Sequence, residues 1–141
     1  MATPLQDLYD RFFSKVDEDF TGKEGQVFAL VDSAIAKSYK YVVHKLDYVL
    51  DEPGELMEES YSGDFTQNLD TDEIELLSLW MVYEWNRKKQ QKILSQKRRI
   101  GTKDFNRLED LPKELGAINF TMKITLDDIN SLKNEFNTYK Y

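Results

Sequence analysis

His44 is the chain's single histidine and its best candidate for acid–base chemistry near neutral pH. It follows Tyr41, Val42 and Val43 in a segment with helical spacing. Acid–base catalysis needs a partner group within hydrogen-bonding distance. No nucleophile motif, glycine-rich phosphate loop or metal-spaced histidine pair accompanies it. We therefore interpret His44 as a packed or partly exposed helix residue and expect no enzymatic activity.

A group of carboxylates is the second candidate for chemistry, at Asp64, Asp70, Asp72 and Glu73. Carboxylate oxygens bind Ca²⁺, but this group lacks the spacing and the central glycine of an EF-hand loop. Helix capping and a solvated acidic loop explain the group better. The chain also has no cysteine, which excludes disulfides, thiolate metal sites and cysteine nucleophiles. We expect neither a metal nor another cofactor.

The distribution of charge along the chain is its most unusual feature. Residues 46–86 contain no Lys or Arg, but they include Asp47, Asp51, Glu52, Glu55, Glu58, Glu59, Asp64, Asp70, Asp72, Glu73, Glu75 and Glu84. Residues 87–103 contain no acid, but they include Arg87, Lys88, Lys89, Lys92, Lys97, Arg98, Arg99 and Lys103. The net charge of -7 argues against general coating of DNA, because non-specific affinity comes from positive charge meeting phosphates.

Three interpretations of the basic segment stay open: a solvated helix end, contact with an acidic neighbouring subunit, and contact with DNA. A head-to-tail ring joins two different faces of identical subunits, so opposite charges on one chain favour the neighbouring subunit over DNA. Trp80 and Trp85 are predicted to anchor the core or a subunit interface rather than to bind a ligand. The predicted subunit or partner interface comprises Glu55, Glu58, Glu59, Trp80, Trp85, Arg87, Lys88, Lys89, Lys97, Arg98 and Arg99.

Two helices are predicted in the first third of the chain to position these residues. Thr3-Pro4-Leu5-Gln6 predicts a helix start with Thr3 as the N-cap, and this helix should end near Val16. A loop should follow over residues 17–25. Apolar residues at helical spacing then predict a longer helix from Gln26 to about Tyr48.

The middle of the chain predicts an acidic loop followed by a central helix. Pro53, Gly54 and Gly63 indicate a long loop over residues 51–68. Asp70 and its acidic neighbours predict a second helix start, because acids favour the positive end of the helix dipole. The following residues 74–85 are apolar on most of the helix circumference, which is typical of a helix in the centre of a bundle or between subunits.

The last third of the chain is harder to interpret. Residues 90–101 could continue the central helix or leave it as an arm, and Pro112 limits any helix that begins near Phe105. Strict alternation of apolar residues then predicts a half-buried strand at Ile118, Phe120, Met122 and Ile124. A final helix is predicted from Thr125 or Asp127.

These elements predict a mostly α fold, a small helical bundle with long loops and a short β-strand or hairpin in the C-terminal third. One domain should span residues 1–141, with a helical core at about 4–48, 70–90 and 126–139, an acidic loop at 49–69, and a basic arm and strand region at 87–125. The opening residues lack an apolar signal core, and no apolar run approaches the ~20 residues that span a bilayer. We expect neither secretion nor membrane insertion, and a cytoplasmic site of synthesis.

Four segments resemble, in order and approximate spacing, the head-to-tail connector proteins of bacteriophages of Gram-positive bacteria. They read DLYDRFFSKV, FALVDSAIAKSYK, LDTDEIELLSLWMVYEW and KDFN, within roughly residues 5 to 106. The most specific are the acid-led helix Glu73 to Trp85, which reads E-I-x-x-L-x-x-x-M-V-x-x-W, and Lys103-Asp104-Phe105.

The resemblance implies a structural α-helical protein of the virion neck that assembles as a twelve-subunit ring around the DNA channel. Its partners would be other copies of the chain, the portal protein of the head, and the next neck, stopper or tail protein, with room for weak contact with channel DNA. After Asn106, the strand-like residues depart from the helix that the resemblance implies. The alternative function is a small nucleic-acid-associated regulatory protein that uses residues 87–103 as its contact strip.

Overall fold

The computed structural model describes residues 2–38, 46–51, 61–99 and 105–139, with the side chains of 97–111 and 135–139 outside that description. The described elements are α1 (Leu5–Phe13), α2 (Glu24–Ser38), β1 (Tyr48–Leu50), β2 (Gly63–Phe65), α3 (Thr71–Arg99) and α4 (Phe105–Tyr139). Helices dominate and a two-stranded antiparallel sheet accompanies them. The predicted fold class, a small and mostly helical bundle, is confirmed.

Helix α3 is the centre of the bundle and contacts α1, α2 and α4. Its start was predicted correctly. Asp70 caps the helix by accepting a 2.9 Å hydrogen bond from the backbone N–H of Glu73, and the Glu73 carboxylate accepts one from the Asp70 N–H at 3.4 Å. Leu76, Leu77 and Met81 are fully buried in the core that α3 forms with its neighbours. Residues 74–85 are apolar on most of the helix circumference because neighbouring helices cover α3 on several sides.

Helix α1 begins without the threonine cap that the sequence predicts. Its N-cap is Pro4, which makes no side-chain capping bond. The Thr3 hydroxyl instead accepts a 2.7 Å bond from the Leu69 N–H and donates to Asn68 Oδ1 at 3.1 Å. The Thr3 carbonyl also accepts a 2.8 Å bond from the Phe65 N–H. The cap prediction was wrong because Thr3 ties the N-terminus to the segment before α3, and α1 ends at Phe13 rather than near Val16.

Helix α2 buries the predicted stripe at Val27, Leu30, Val31 and Ala34. It begins two residues before the predicted start, and the described part ends at Ser38. His44 lies outside the described residues. Tyr48, which was predicted to end this helix, instead begins β1.

The sheet is a short antiparallel pair in the middle of the chain. Tyr48 pairs with Phe65 and Leu50 pairs with Gly63. A Cβ at Gly63 would collide with the Val49 carbonyl, so the close approach of the strands requires glycine there. The prediction of a loop over residues 51–68 was wrong where β2 lies, and residues 52–60 lie outside the described part of the chain.

Helix α4 runs over 35 residues without interruption, with Pro112 inside it. The predicted strand at residues 118–125 was therefore wrong, and so was its place in the C-terminal third. The apolar residues that alternate in sequence occupy two faces of the helix. Ile118 and Met122 are half-buried on the side of the buried Ile129, whereas Phe120 is 65% exposed and Ile124 is 45% exposed. The hydroxyl of Thr125 also donates a 2.8 Å hydrogen bond to the carbonyl of Thr121, one turn earlier in the helix.

Candidate subunit interface

Helices α3 and α4 extend past the core as a two-helix arm, defined here as residues 87–99 of α3 and 105–125 of α4. In the described chain, the last α3 residue of the main hydrophobic core is Trp85, whereas α4 reaches that core with Ile129 and Leu132. Gln90 on α3 donates a 2.7 Å hydrogen bond to Asn119 on α4. The two helices are therefore antiparallel along the arm. The sequence left open whether residues 90–101 continue the helix, and α3 does continue to Arg99.

The arm presents cations and large apolar side chains on the same small scaffold. Arg87, Lys88 and Lys92 are exposed on α3, and Lys113 and Lys123 are exposed on α4. Of the large apolar side chains exposed in the described residues, three lie on the arm: Leu94, Phe120 and Ile124. Phe120 and Ile124 are four residues apart on α4 and so share one side of the helix, and a contiguous exposed apolar patch rimmed by polar groups marks an interaction site. Among the arm side chains that the structure describes, at residues 87–96 and 112–125, Ile93 is the one buried apolar residue.

Trp85 and Lys89, both predicted for the interface, make their contacts within the chain. Trp85 is only 8% exposed and packs edge-on against Phe20, with ring centroids 5.0 Å apart. The ammonium of Lys89 lies 5.6 Å from the centre of the Trp85 ring and pairs with Glu18. Trp85 is therefore a core residue with little surface left for a partner, which was one of the two roles predicted for it.

Trp80, the other predicted anchor, is half-buried and joins α2 to α3. It packs edge-on against Tyr83, with ring centroids 5.6 Å apart. The Lys37 ammonium lies 5.1 Å from the Trp80 ring centre and 5.3 Å from that of Tyr83, and it pairs with Glu84. Arg87 Nη1 approaches the same carboxylate at 4.0 Å. A cation held between aromatic rings and a carboxylate stabilises this junction.

The other predicted interface residues have two different outcomes. Lys97, Arg98 and Arg99 lie in the last turn of α3, and their side chains are outside the described part of the molecule. Glu55, Glu58 and Glu59 lie within residues 52–60, which are also outside it. The pairing of these acids with the basic segment stays a prediction.

Charge is segregated in space as it is in sequence. Outside the arm, exposed acids cover the bundle at Asp7, Asp10, Asp17, Glu18, Asp19, Glu24, Asp32, Asp47, Asp51, Asp64, Asp70 and Asp72. Arg11 and Lys15 of the bundle are engaged locally: Glu75 accepts from Arg11 Nε at 2.6 Å and from Lys15 Nζ at 2.5 Å. Burial raises the pKa of Glu75, but the two cations outweigh it and hold the pKa below its ordinary value. The molecule therefore has an acidic bundle and a basic arm.

A cleft of about 450 Å³ opens on the acidic bundle between α1, the loop before α2 and residues 61–62. Its aromatic lining is formed by Tyr9, Phe13, Phe20 and Tyr61, and its carboxylates are those of Glu18, Asp19 and Glu24. The Tyr9 hydroxyl donates a 2.7 Å hydrogen bond to the Tyr61 carbonyl, and burial together with the charge of Asp32 raises the pKa of Tyr9 to about 12. Sequence reasoning missed this cleft, because its walls come from segments far apart in the chain.

No cluster of three or more His, Cys, Asp or Glu side chains in the described ranges is arranged to hold a metal ion. Within the same ranges, each helix is too short or too polar to cross a membrane. Comparison of the chain with protein-family models, curated proteins and solved structures gave no match.

Proposed function

We propose that this protein is a structural subunit of a ring in the neck of a tailed bacteriophage. In the virion it would join the portal of the DNA-filled head to the next neck, stopper or tail protein. It would be made in the host cytoplasm, act without catalysis and need no cofactor. The observation that carries the proposal is the division of the molecule into an acidic bundle and a basic arm with exposed apolar side chains.

Such a division suits identical subunits that bind head to tail. In this arrangement two different faces of the same chain meet, and the contacts close into a ring when the rotation between subunits permits. Complementary charge sets the register and orientation of the contact. Burial of apolar side chains such as Phe120 and Ile124 supplies most of the affinity. Each contact can be weak, because a ring sums it over every interface.

The sequence resemblance supports the same function. Its most specific segment, Glu73 to Trp85, forms the first half of α3 and supplies much of the bundle core. A rigid central helix that continues directly into the arm couples the two faces of the subunit mechanically.

The competing function is a small nucleic-acid-associated regulatory protein. It would use the same exposed cations, Arg87, Lys88 and Lys92, against phosphates. The net charge of -7 disfavours a nucleic-acid-binding function, because the acidic bundle repels the DNA that the arm would attract.

The experiment that separates the two functions reverses charge at the end of α3. The variant Lys97→Glu, Arg98→Glu, Arg99→Glu is compared with wild type, and Ser131→Glu on the exposed surface of α4 serves as a control. Assembly is followed by negative-stain microscopy and DNA retention is measured in packaged particles. We expect the triple variant to lose rings and the control to keep them, with wild-type assembly weakened by added salt. Normal assembly with loss of DNA retention would instead assign the segment to DNA contact.

A further inference from the structure

We infer that the aromatic and acidic cleft on the bundle receives an arginine from the arm of a second copy of this chain. This inference deepens the proposed function by assigning the receiving surface of the head-to-tail contact. The cleft is the space of about 450 Å³ lined by Tyr9, Phe13, Phe20 and Tyr61 together with Glu18, Asp19 and Glu24.

The chemistry of the cleft selects a flat cation. Phe13 and Phe20 lie with ring centroids 5.5 Å apart, and Phe13 keeps 41% of its surface exposed at the cleft. The carboxylates of Glu18, Asp19 and Glu24 line the same cleft. A guanidinium group stacks on aromatic faces and binds a carboxylate through two parallel N–H donors. An ammonium group is a compact point charge and has neither the flat face nor the paired donors.

The charge of the cleft is incompletely balanced by its own chain. None of the residues that line it is a Lys or Arg. Glu18 pairs with Lys89 at the base of the arm. Asp19 accepts bonds from the side chain and backbone of Thr21, and these bonds, with the nearby Lys23, lower its pKa and keep it ionised. An incoming cation would therefore meet a negative charge that is already formed.

The chain uses the same arrangement twice within itself. Lys37 sits by the rings of Trp80 and Tyr83 and pairs with Glu84. Lys89 sits by the ring of Trp85 and pairs with Glu18. In both places a cation joins two elements through a ring and a carboxylate. The cleft offers rings and carboxylates for a third such junction.

The cation must come from another copy because α3 leads away from its own cleft. Lys89 marks the point where α3 passes the cleft, since it pairs with the cleft residue Glu18. Arg99 lies ten residues further along the same helix, or roughly 15 Å at 1.5 Å per residue. The described end of α3 therefore lies well beyond its own cleft, and the inference assigns the arginine to Arg98 or Arg99 of a neighbouring copy.

Disulfide trapping tests the contact directly, because the chain has no cysteine of its own. One full-length variant carries Thr21→Cys at the exposed mouth of the cleft and the other carries Ser95→Cys on the exposed side of α3 near its end. We expect the mixed pair to form a covalent heterodimer on oxidation. The matched control, Thr21→Cys mixed with Ser131→Cys on exposed α4 surface near the bundle, should crosslink at least tenfold less. Equal crosslinking of both pairs would overturn the inference.

A second test uses neutral variants and does not depend on oxidation. One variant has Asp19→Asn and Glu24→Gln in the cleft, and the other has Arg98→Gln and Arg99→Gln on the arm. Each alone should self-associate about tenfold more weakly than wild type. Mixed, they retain one intact arm and one intact cleft, so native mass spectrometry should show a 1:1 heterodimer as the largest abundant species. Asp127→Asn with Asp128→Asn on α4 removes the same charge elsewhere and should leave assembly unchanged.

The outcomes separate this inference from the function on which it rests. Rings that form normally from the cleft variant would overturn the inference and leave the ring function standing. Crosslinked dimers or open chains that never close would support the cleft contact and contradict the ring. A wild-type chain that stays monomeric at high concentration and low salt would overturn the inference. Substitution of Arg98 and Arg99 by Lys separates stacking from charge, and we expect it to weaken association although the charge is kept.

Discussion

The side-chain amide of Gln90 on α3 donates a 2.7 Å hydrogen bond to the side-chain carbonyl of Asn119 on α4. Both residues lie on the arm, beyond the core residue Trp85. Further along α4, Ile129 returns to the bundle and is buried there. The bond therefore helps to fix the register of two antiparallel helices. The stiffness of the arm depends on the helicity of α4 through Pro112 and Gly116.

Replacement of Gly116 by Ala should stabilise the protein. Gly116 lies inside α4, where a Cβ would meet no atom within 4 Å, and glycine in a helix interior costs about 0.5–1 kcal/mol relative to alanine. Chemical unfolding should show a gain of about that size. Gly22→Ala is the matched control and should destabilise, because Gly22 has a φ of 77°. A loss of stability in Gly116→Ala would contradict the continuous helix.

Truncation of Leu77 or Met81 to Ala should cost about 2–5 kcal/mol in the free energy of unfolding. Both side chains are fully buried in the core around α3. Leu94→Ala is the control on the same helix, and with 37% of its surface exposed it should cost under about 1 kcal/mol. Similar small losses at all three positions, measured by urea unfolding, would show that α3 is not central.

The helical core could be predicted because its signals are local and agree with each other. Asp70 and Glu73 stand three residues apart and cap each other, and the apolar residues after them leave α3 little polar surface. Thr3 has the same type of capping signal, but distant partners compete for it and Leu69 takes its hydroxyl. A capping residue therefore predicts a helix start less reliably where distant polar groups compete for its side chain than where a strong apolar run follows it.

The error over residues 118–125 has a different cause. Four apolar residues that alternate in sequence match the pattern of a strand. On a helix, the same residues form two i, i+4 pairs, Ile118 with Met122 and Phe120 with Ile124. Two exposed residues, Phe120 and Ile124, made the apolar pattern resemble a half-buried strand. Exposed apolar residues of this kind mislead a prediction that assumes every apolar residue faces the chain's own core.

For the candidate site residues, the sequence predicted where the basic segment lies, but it did not predict which residues those side chains contact. The basic run at residues 87–99 was found from composition, and its exposed members Lys88 and Lys92 fit that prediction. That Lys89 folds back onto Trp85 and Glu18 depends on the loop before α2, which no local pattern encodes. The cleft depends on the same loop and on residues 61–62.

Replacement of Glu75 by Gln should destabilise the protein at pH 7 by about 0.5–1 kcal/mol, the range for partly exposed ion pairs. The folded-state pKa of Glu75 is lowered, so the carboxylate binds its proton less tightly in the folded state than in the unfolded one. The carboxylate therefore stabilises the folded state at pH values above its ordinary pKa, and this stabilisation is lost as the pH falls through the folded-state pKa. Urea unfolding from pH 7 to pH 3 should show the two proteins converging. A constant difference at every pH would assign the loss to packing.

Tyr9 should make the protein sensitive to alkaline conditions. Its pKa is raised to about 12, so the contribution of its neutral hydroxyl is complete below the ordinary value near 10 and disappears as the pH rises toward 12. Tyr9→Phe loses the hydrogen bond to the Tyr61 carbonyl and should cost about 1 kcal/mol at pH 8. The variant should then lose less stability than wild type between pH 10 and pH 12. Parallel stability curves would show that Tyr9 ionises freely in the folded state.

The mass of the assembled wild-type chain distinguishes a neck ring from a DNA-binding monomer or dimer. Native mass spectrometry of the purified protein at rising concentration and low salt should show a closed high-order ring, twelve copies if the connector resemblance holds. Added salt should shift the population toward smaller species, because charge on arm and bundle sets the register of the contact. A stable monomer or dimer across all concentrations that shifts DNA at physiological salt would contradict the account.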